Sequence, residues 1–75
     1  MKNKYQMVHT YKFDENLKEI GGKIQTQKTS FKTLESAINN ADMWINKREK
    51  WITTTSLKIT IIDKETNETC WEYLA

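Results

Sequence analysis

The chain opens on a strict alternation. From Tyr5 to Phe13, residues Tyr5, Met7, His9, Tyr11 and Phe13 share one side; Gln6, Val8, Thr10 and Lys12 share the other. A period of two is the pattern of a strand with one buried face. Residues 5–13 are therefore expected to form a strand with a mostly aromatic inner face. Asp14-Glu15-Asn16 and Gly21-Gly22 then break the pattern, so residues 14–22 read as a turn or loop. Lys23 to Lys28 resume as a second, polar strand in which Ile24 is the one large apolar residue. It reads as an edge strand, with Lys23 and Lys28 opposing edge-to-edge association.

The period changes at Thr33. Leu34, Ala37, Ile38, Ala41, Trp44 and Ile45 fall at i, i+3, i+4, i+7, i+10 and i+11, one apolar stripe along a helix. Thr33 can cap that helix, with Ser30 as the alternative, and Glu35 sits in the first turn where the dipole favours an anion. Lys47, Arg48 and Lys50 are expected in the last turn, where cations are favoured. Trp51 and Ile52 lead out, and the β-branched Thr53-Thr54-Thr55 begins a third strand.

The closing segment reads as a hairpin. Lys64 to Glu68 suit a type I turn followed by a left-handed residue, a role that Asn67 tolerates. Lys64 would then face Glu68, Ile62 face Cys70, Ile61 face Trp71, Thr60 face Glu72 and Ile59 face Tyr73. This register places Leu57, Ile59, Ile61, Trp71 and Tyr73 on one side. A register slipped by one residue would mix that set with polar positions. The expected fold class is α+β, ordered β-β-α-β-β, with a single helix packed on one face of an antiparallel four-stranded sheet. Its core would join the helical stripe, those five hairpin residues and the odd-numbered side of the first strand.

Size and composition narrow the picture. Seventy-five residues, 37% of them apolar, make a single small domain spanning 1–75 with little core to spare. Three Trp, three Tyr and two Phe compensate, because each ring buries a large area. A homodimer or a bound partner would add stability. One cysteine, Cys70, excludes an internal disulfide and suits a reducing cytoplasm. No apolar run approaches the length of a membrane span, and the N-terminus has no secretory h-region. A bias to Lys, Asn, Ile and Thr fits an AT-rich genome, such as that of a low-GC bacterium or its phage.

The net charge of +2 is too small to imply nucleic-acid binding from bulk electrostatics. Its distribution is uneven. Residues 1–32 hold seven Lys (2, 4, 12, 18, 23, 28 and 32) against Asp14, Glu15 and Glu19. Residues 51–75 hold Lys58 and Lys64 against Asp63, Glu65, Glu68 and Glu72. A domain built that way is dipolar, which suits oriented docking.

Candidate chemistry is sparse. His9 lies in the apolar row of the first strand and reads as a partly buried histidine satisfied by a neighbour. Cys70 has no base nearby in sequence and reads as a small hydrophobe. The carboxylates around the last turn sit on a hairpin tip, where Lys64 and Lys58 would pair with Glu68 and Glu72. No metal-ligand spacing and no phosphate loop is present. The expectation is a non-enzymatic protein that works without a cofactor.

Two binding readings remain. A protein-binding module would use the uncovered side of the hairpin, where Ile62, Cys70 and Leu74 form an apolar strip among Lys58, Thr60 and Glu72, with Trp51 as a second anchor. Its specific form is a phage or mobile-element inhibitor that occludes or modulates a host defence protein. The alternative is a nucleic-acid-binding accessory or regulatory protein. That reading uses Lys47, Arg48 and Lys50 on phosphates and Trp51 on a base.

Overall fold

The computed structural model describes residues 3–75; Lys2, counted above among the lysines of the first segment, lies outside them. Strand β1 (Tyr5–Phe13), strand β2 (Ile24–Phe31), helix α1 (Leu34–Ile45), strand β3 (Thr54–Asp63) and strand β4 (Glu68–Leu74) follow in that order. All neighbours in the sheet are antiparallel and the spatial order is β2-β1-β3-β4. The helix lies on one face, over β3 and β1.

Side-chain alternation places the core. Met7, Ile59 and Ile61 point from the two central strands at Ala37 and Ala41 of the helix, and these five residues are buried together. The alanines sit one helical turn apart, and their small side chains let the helix lie close on the sheet. Tyr5, Phe31, Leu34, Ile38, Trp44, Ile45, Trp71 and Tyr73 pack around this centre. Thr33 caps the helix, its hydroxyl accepting the Ser36 N–H at 3.1 Å.

The structure departs from the sequence pattern at defined points. Strand β2 runs on to Phe31 rather than ending at Lys28, because Thr29, Ser30 and Phe31 pair with Met7, Gln6 and Tyr5. The helix stops at Ile45, and Lys47 takes a left-handed conformation with φ of 47°. The Arg48 N–H donates to the Met43 carbonyl at 3.2 Å and the Lys47 N–H to that of Trp44 at 3.4 Å, a Schellman-type stop. Lys47, Arg48 and Lys50 therefore lie beyond the helix and not in its last turn.

Two bulges correct the register. Between Thr10 and Tyr11 the pairing of β1 with β3 shifts, so Tyr11 faces Ser56 and Leu57 is the extra residue. Leu57 is half-buried and outside the core cluster, while Ser56 and Thr54 take the buried positions expected of it. In the closing hairpin, Ile61–Trp71, Thr60–Glu72 and Ile59–Tyr73 pair as expected. Nearer the turn, Ile62 faces Thr69 rather than Cys70, and Asp63 rather than Lys64 faces Glu68. Cys70 is the extra residue of this second bulge. Asn67 does adopt the left-handed conformation, with φ of 61°.

Candidate functional site

The helix-covered face ends in a polar, aromatic corner. His9 is 1% exposed, and its Nε2 lies 2.8 Å from the Ser56 hydroxyl. Its Nδ1 is buried with no partner among the described residues, so the expected satisfied histidine is only half satisfied. Burial away from water pushes its pKa down to about 4, which keeps the ring neutral near pH 7. Tyr11 and Trp44 flank it, with ring centroids at 4.9 Å and 5.4 Å. Trp44 donates its indole N–H to Asn40 Oδ1 at 3.0 Å and meets Trp51 edge to face at 5.2 Å. Tyr11, Phe13, Trp44, Trp51 and Ile52 line a cleft of about 180 Å³ there, together with Thr53 and Thr54.

The basic group beside Trp51 is largely engaged. Lys47 Nζ lies 3.3 Å from Asp14 Oδ1, and Arg48 pairs with Asp42. Lys50 is exposed and has no ion pair among the described residues. Two of the three cations of the nucleic-acid reading therefore already face carboxylates.

Among the described residues, the opposite face of the sheet carries no helix. Cross-strand pairing arranges it in rows. Ser30, Gln6, Ile62 and Thr69 form one; Lys28, Val8, Thr60 and Glu72 the next; Thr26, Thr10, Lys58 and Leu74 the third. Ile24, Lys12 and Thr55 follow. Val8 and Ile62 are half-buried diagonal neighbours at the middle of this surface. Lys28 lies beside Val8 and Lys58 diagonal to it, while Lys12, two rows from Val8, pairs with Glu15 at 3.0 Å; Glu72 is the one acid on the strand positions of this face. Threonine at five of these positions keeps it polar and β-compatible.

The strip expected from the hairpin is thus divided. Ile62 sits centrally, whereas Leu74, 69% exposed, lies two rows away across Thr60 and Glu72. The bulge moves Cys70 out of line with Ile62; its thiol is exposed and lies 3.8 Å from the Glu68 carbonyl. Trp51, 60% exposed, belongs to the helix side and not to this surface. Val8 is the residue that sequence reasoning missed. Its outward side was legible from alternation, but its meeting with Ile62 depends on β1 pairing with β3, which no local pattern signals.

Charges at the turn are arranged differently from expectation. Among the described residues neither Lys64–Glu68 nor Lys58–Glu72 is an ion pair. Asp63 instead meets Lys4 at 3.4 Å and accepts the Glu65 N–H at 2.9 Å. That backbone donor, helped by Lys4, holds the Asp63 carboxyl below its ordinary pKa; Asp63 in turn raises that of Lys4. Among the described residues no group of three or more His, Cys, Asp or Glu is placed to hold a metal ion, and no helix is long and apolar enough to cross a membrane. No protein family, curated protein or solved structure matches this chain.

Proposed function

We propose that the chain is a small non-enzymatic module that binds another protein through the open face of its sheet. The carrying observation is the asymmetry of the two faces: the central strands of one lie under α1, while the other presents Val8 and Ile62 with Lys28 and Lys58 beside them and Glu72 as the one acid on its strand positions. An apolar centre with a charged rim is the anatomy of a protein interface. Lys28 and Lys58 favour a partner with carboxylates beside a small apolar knob. Binding there occludes or modulates the partner without a cofactor. The most specific form, a phage or mobile-element inhibitor of a host defence protein, rests on chain length and composition alone.

His9 supports the non-enzymatic reading, because a ring 1% exposed cannot reach a substrate. The test is affinity capture with wild type, Val8→Asp and Ile62→Asp, each first shown to be folded by circular dichroism, alongside DNA and RNA titrations. The expected result is a protein retained by wild type and lost with both variants. Tight nucleic-acid binding that falls steeply with salt and disappears on reversal of Lys50 would overturn the reading. Capture unaffected by either substitution would remove this face as the site.

A further inference from the structure

The two edges of the sheet carry opposite charge. From Lys23 to Leu34, covering β2, the chain has three lysines and no acid. From Glu65 to Ala75, covering β4, it has three glutamates and no base. The strand order puts these segments at the two outer edges, both exposed and neither covered by another strand. Like charge opposes pairing of β2 with β2 or of β4 with β4 from a second copy. Edge lysines protect against self-pairing of that kind; they do not protect against the acidic edge.

Strand direction completes the argument. β2 and β3 both run opposite to β1, and β4 runs opposite to β3. β4 therefore runs opposite to β2. A copy translated sideways in the sheet would set its β2 antiparallel beside β4 of the first. Each row of the open face then continues into the neighbour. Glu72 shares a row with Lys28, so Glu72 would meet Lys28 of the second copy. Leu74 would meet Thr26 of that copy and lie diagonal to its Ile24. These two apolar side chains are 69% and 64% exposed in the single chain. On the helix side Trp71 and Tyr73 would meet Thr29 and Gln27. The helices do not obstruct this, since four strands repeat at about 19 Å and a helix with its side chains is about 10–12 Å across.

We infer that the occupant of each edge is a second copy of this chain, joined head to tail through β4 of one and β2 of the next into a continuous antiparallel sheet. Such an interface is heterologous and does not close by itself. Strand twist limits its growth, because open sheets rarely exceed about ten strands without curling, so pairs of copies are the expected assembly.

The experiment is sedimentation velocity on the full chain over a wide concentration range, at about 0.1 M and about 1 M salt, between which the Debye length falls from about 10 Å to about 3 Å. Wild type should associate with rising concentration, and less so at high salt. Lys28→Glu and Glu72→Lys should each weaken association by about tenfold. An equimolar mixture of the two variants should regain it, because every edge then finds an opposite charge. Circular dichroism confirms that each variant is folded. A wild type that stays monomeric at the highest concentration would overturn the inference. So would a Lys28→Glu variant that associates as well as wild type, or a mixture that fails to recover.

Discussion

Ile61 and Ile62 are adjacent and chemically identical, yet they live on opposite sides of one sheet. Ile61 is fully buried between β1, β4 and the alanines of α1; Ile62 is half-buried on the open face. The difference lies in what covers each face. The single helix covers the two central strands on one face, so stability concentrates on that side and the other is free to vary its chemistry. The covered side holds the fold together, and the open side can be changed with little consequence for it.

The largest effect that tests this contrast is Ile61→Ala. Removing that side chain should cost about 2–5 kcal/mol. A chain of this length has about 4–11 kcal/mol in total, so the variant should lose a large share of its stability. Ile62→Ala should cost about 1 kcal/mol or less. Urea unfolding followed by circular dichroism measures both, and equal losses would break the comparison.

A second test uses the polar corner of the covered face. The His9 pKa falls from 6.5 to about 4 on folding. The unfolded chain thus takes up a proton near pH 6.5 that the folded chain refuses until about pH 4. Stability from the buried neutral ring is complete above pH 6.5 and is lost as pH falls toward 4, by about 3 kcal/mol. The double variant His9→Leu with Ser56→Ala removes both polar partners, and its stability should decline less over that window by about the same amount. An unchanged decline would show that His9 does not cause it; Asp63, whose pKa is lowered from 3.8, makes stability fall only at lower pH.

The smallest effect concerns the end of the helix that seals the covered face. Lys47 holds a left-handed backbone that glycine adopts without strain. Lys47→Gly relieves roughly 1–2 kcal/mol and loses an exposed ion pair with Asp14 worth less, for a net gain of about 1 kcal/mol. Thermal melting should show a rise of about 4–8 °C. A fall would mean that the Asp14 contact anchors the helix end more strongly than its exposure implies.

Local patterns carried much of this fold. The alternation of β1, the helical stripe, the Thr33 cap and the outer hairpin pairs were all readable, because each depends on residues a few positions apart. The bulges at Leu57 and Cys70 were not. An extra residue in a strand leaves no mark in a β-rich sequence when both neighbours are compatible with a strand. The engaged state of Lys47 and Arg48 was hidden for another reason. Asp14 is remote in sequence from Lys47, and Asp42 meets Arg48 only after the chain has turned at the end of α1. The division of the Ile62, Cys70 and Leu74 strip follows from one of those bulges together with the spacing along β4.

The placement of β1 between β2 and β3 also sets the order in which the molecule can be made. β1 with β2, and β3 with β4, are neighbours in sequence, and such hairpins form in about 1–10 μs. The central seam joins Tyr5 to Asp63, nearly the two ends of the chain. It can close only after the intervening segment has been gathered up, which carries the loop-closure entropy that slows folding of non-local topologies. Until it closes, α1 has no flat surface to rest on, and Met7, Ile59 and Ile61 remain in water. The seam and the core must therefore form together, which makes β1–β3 docking the expected rate-limiting step and ties the two hairpins into one cooperative unit.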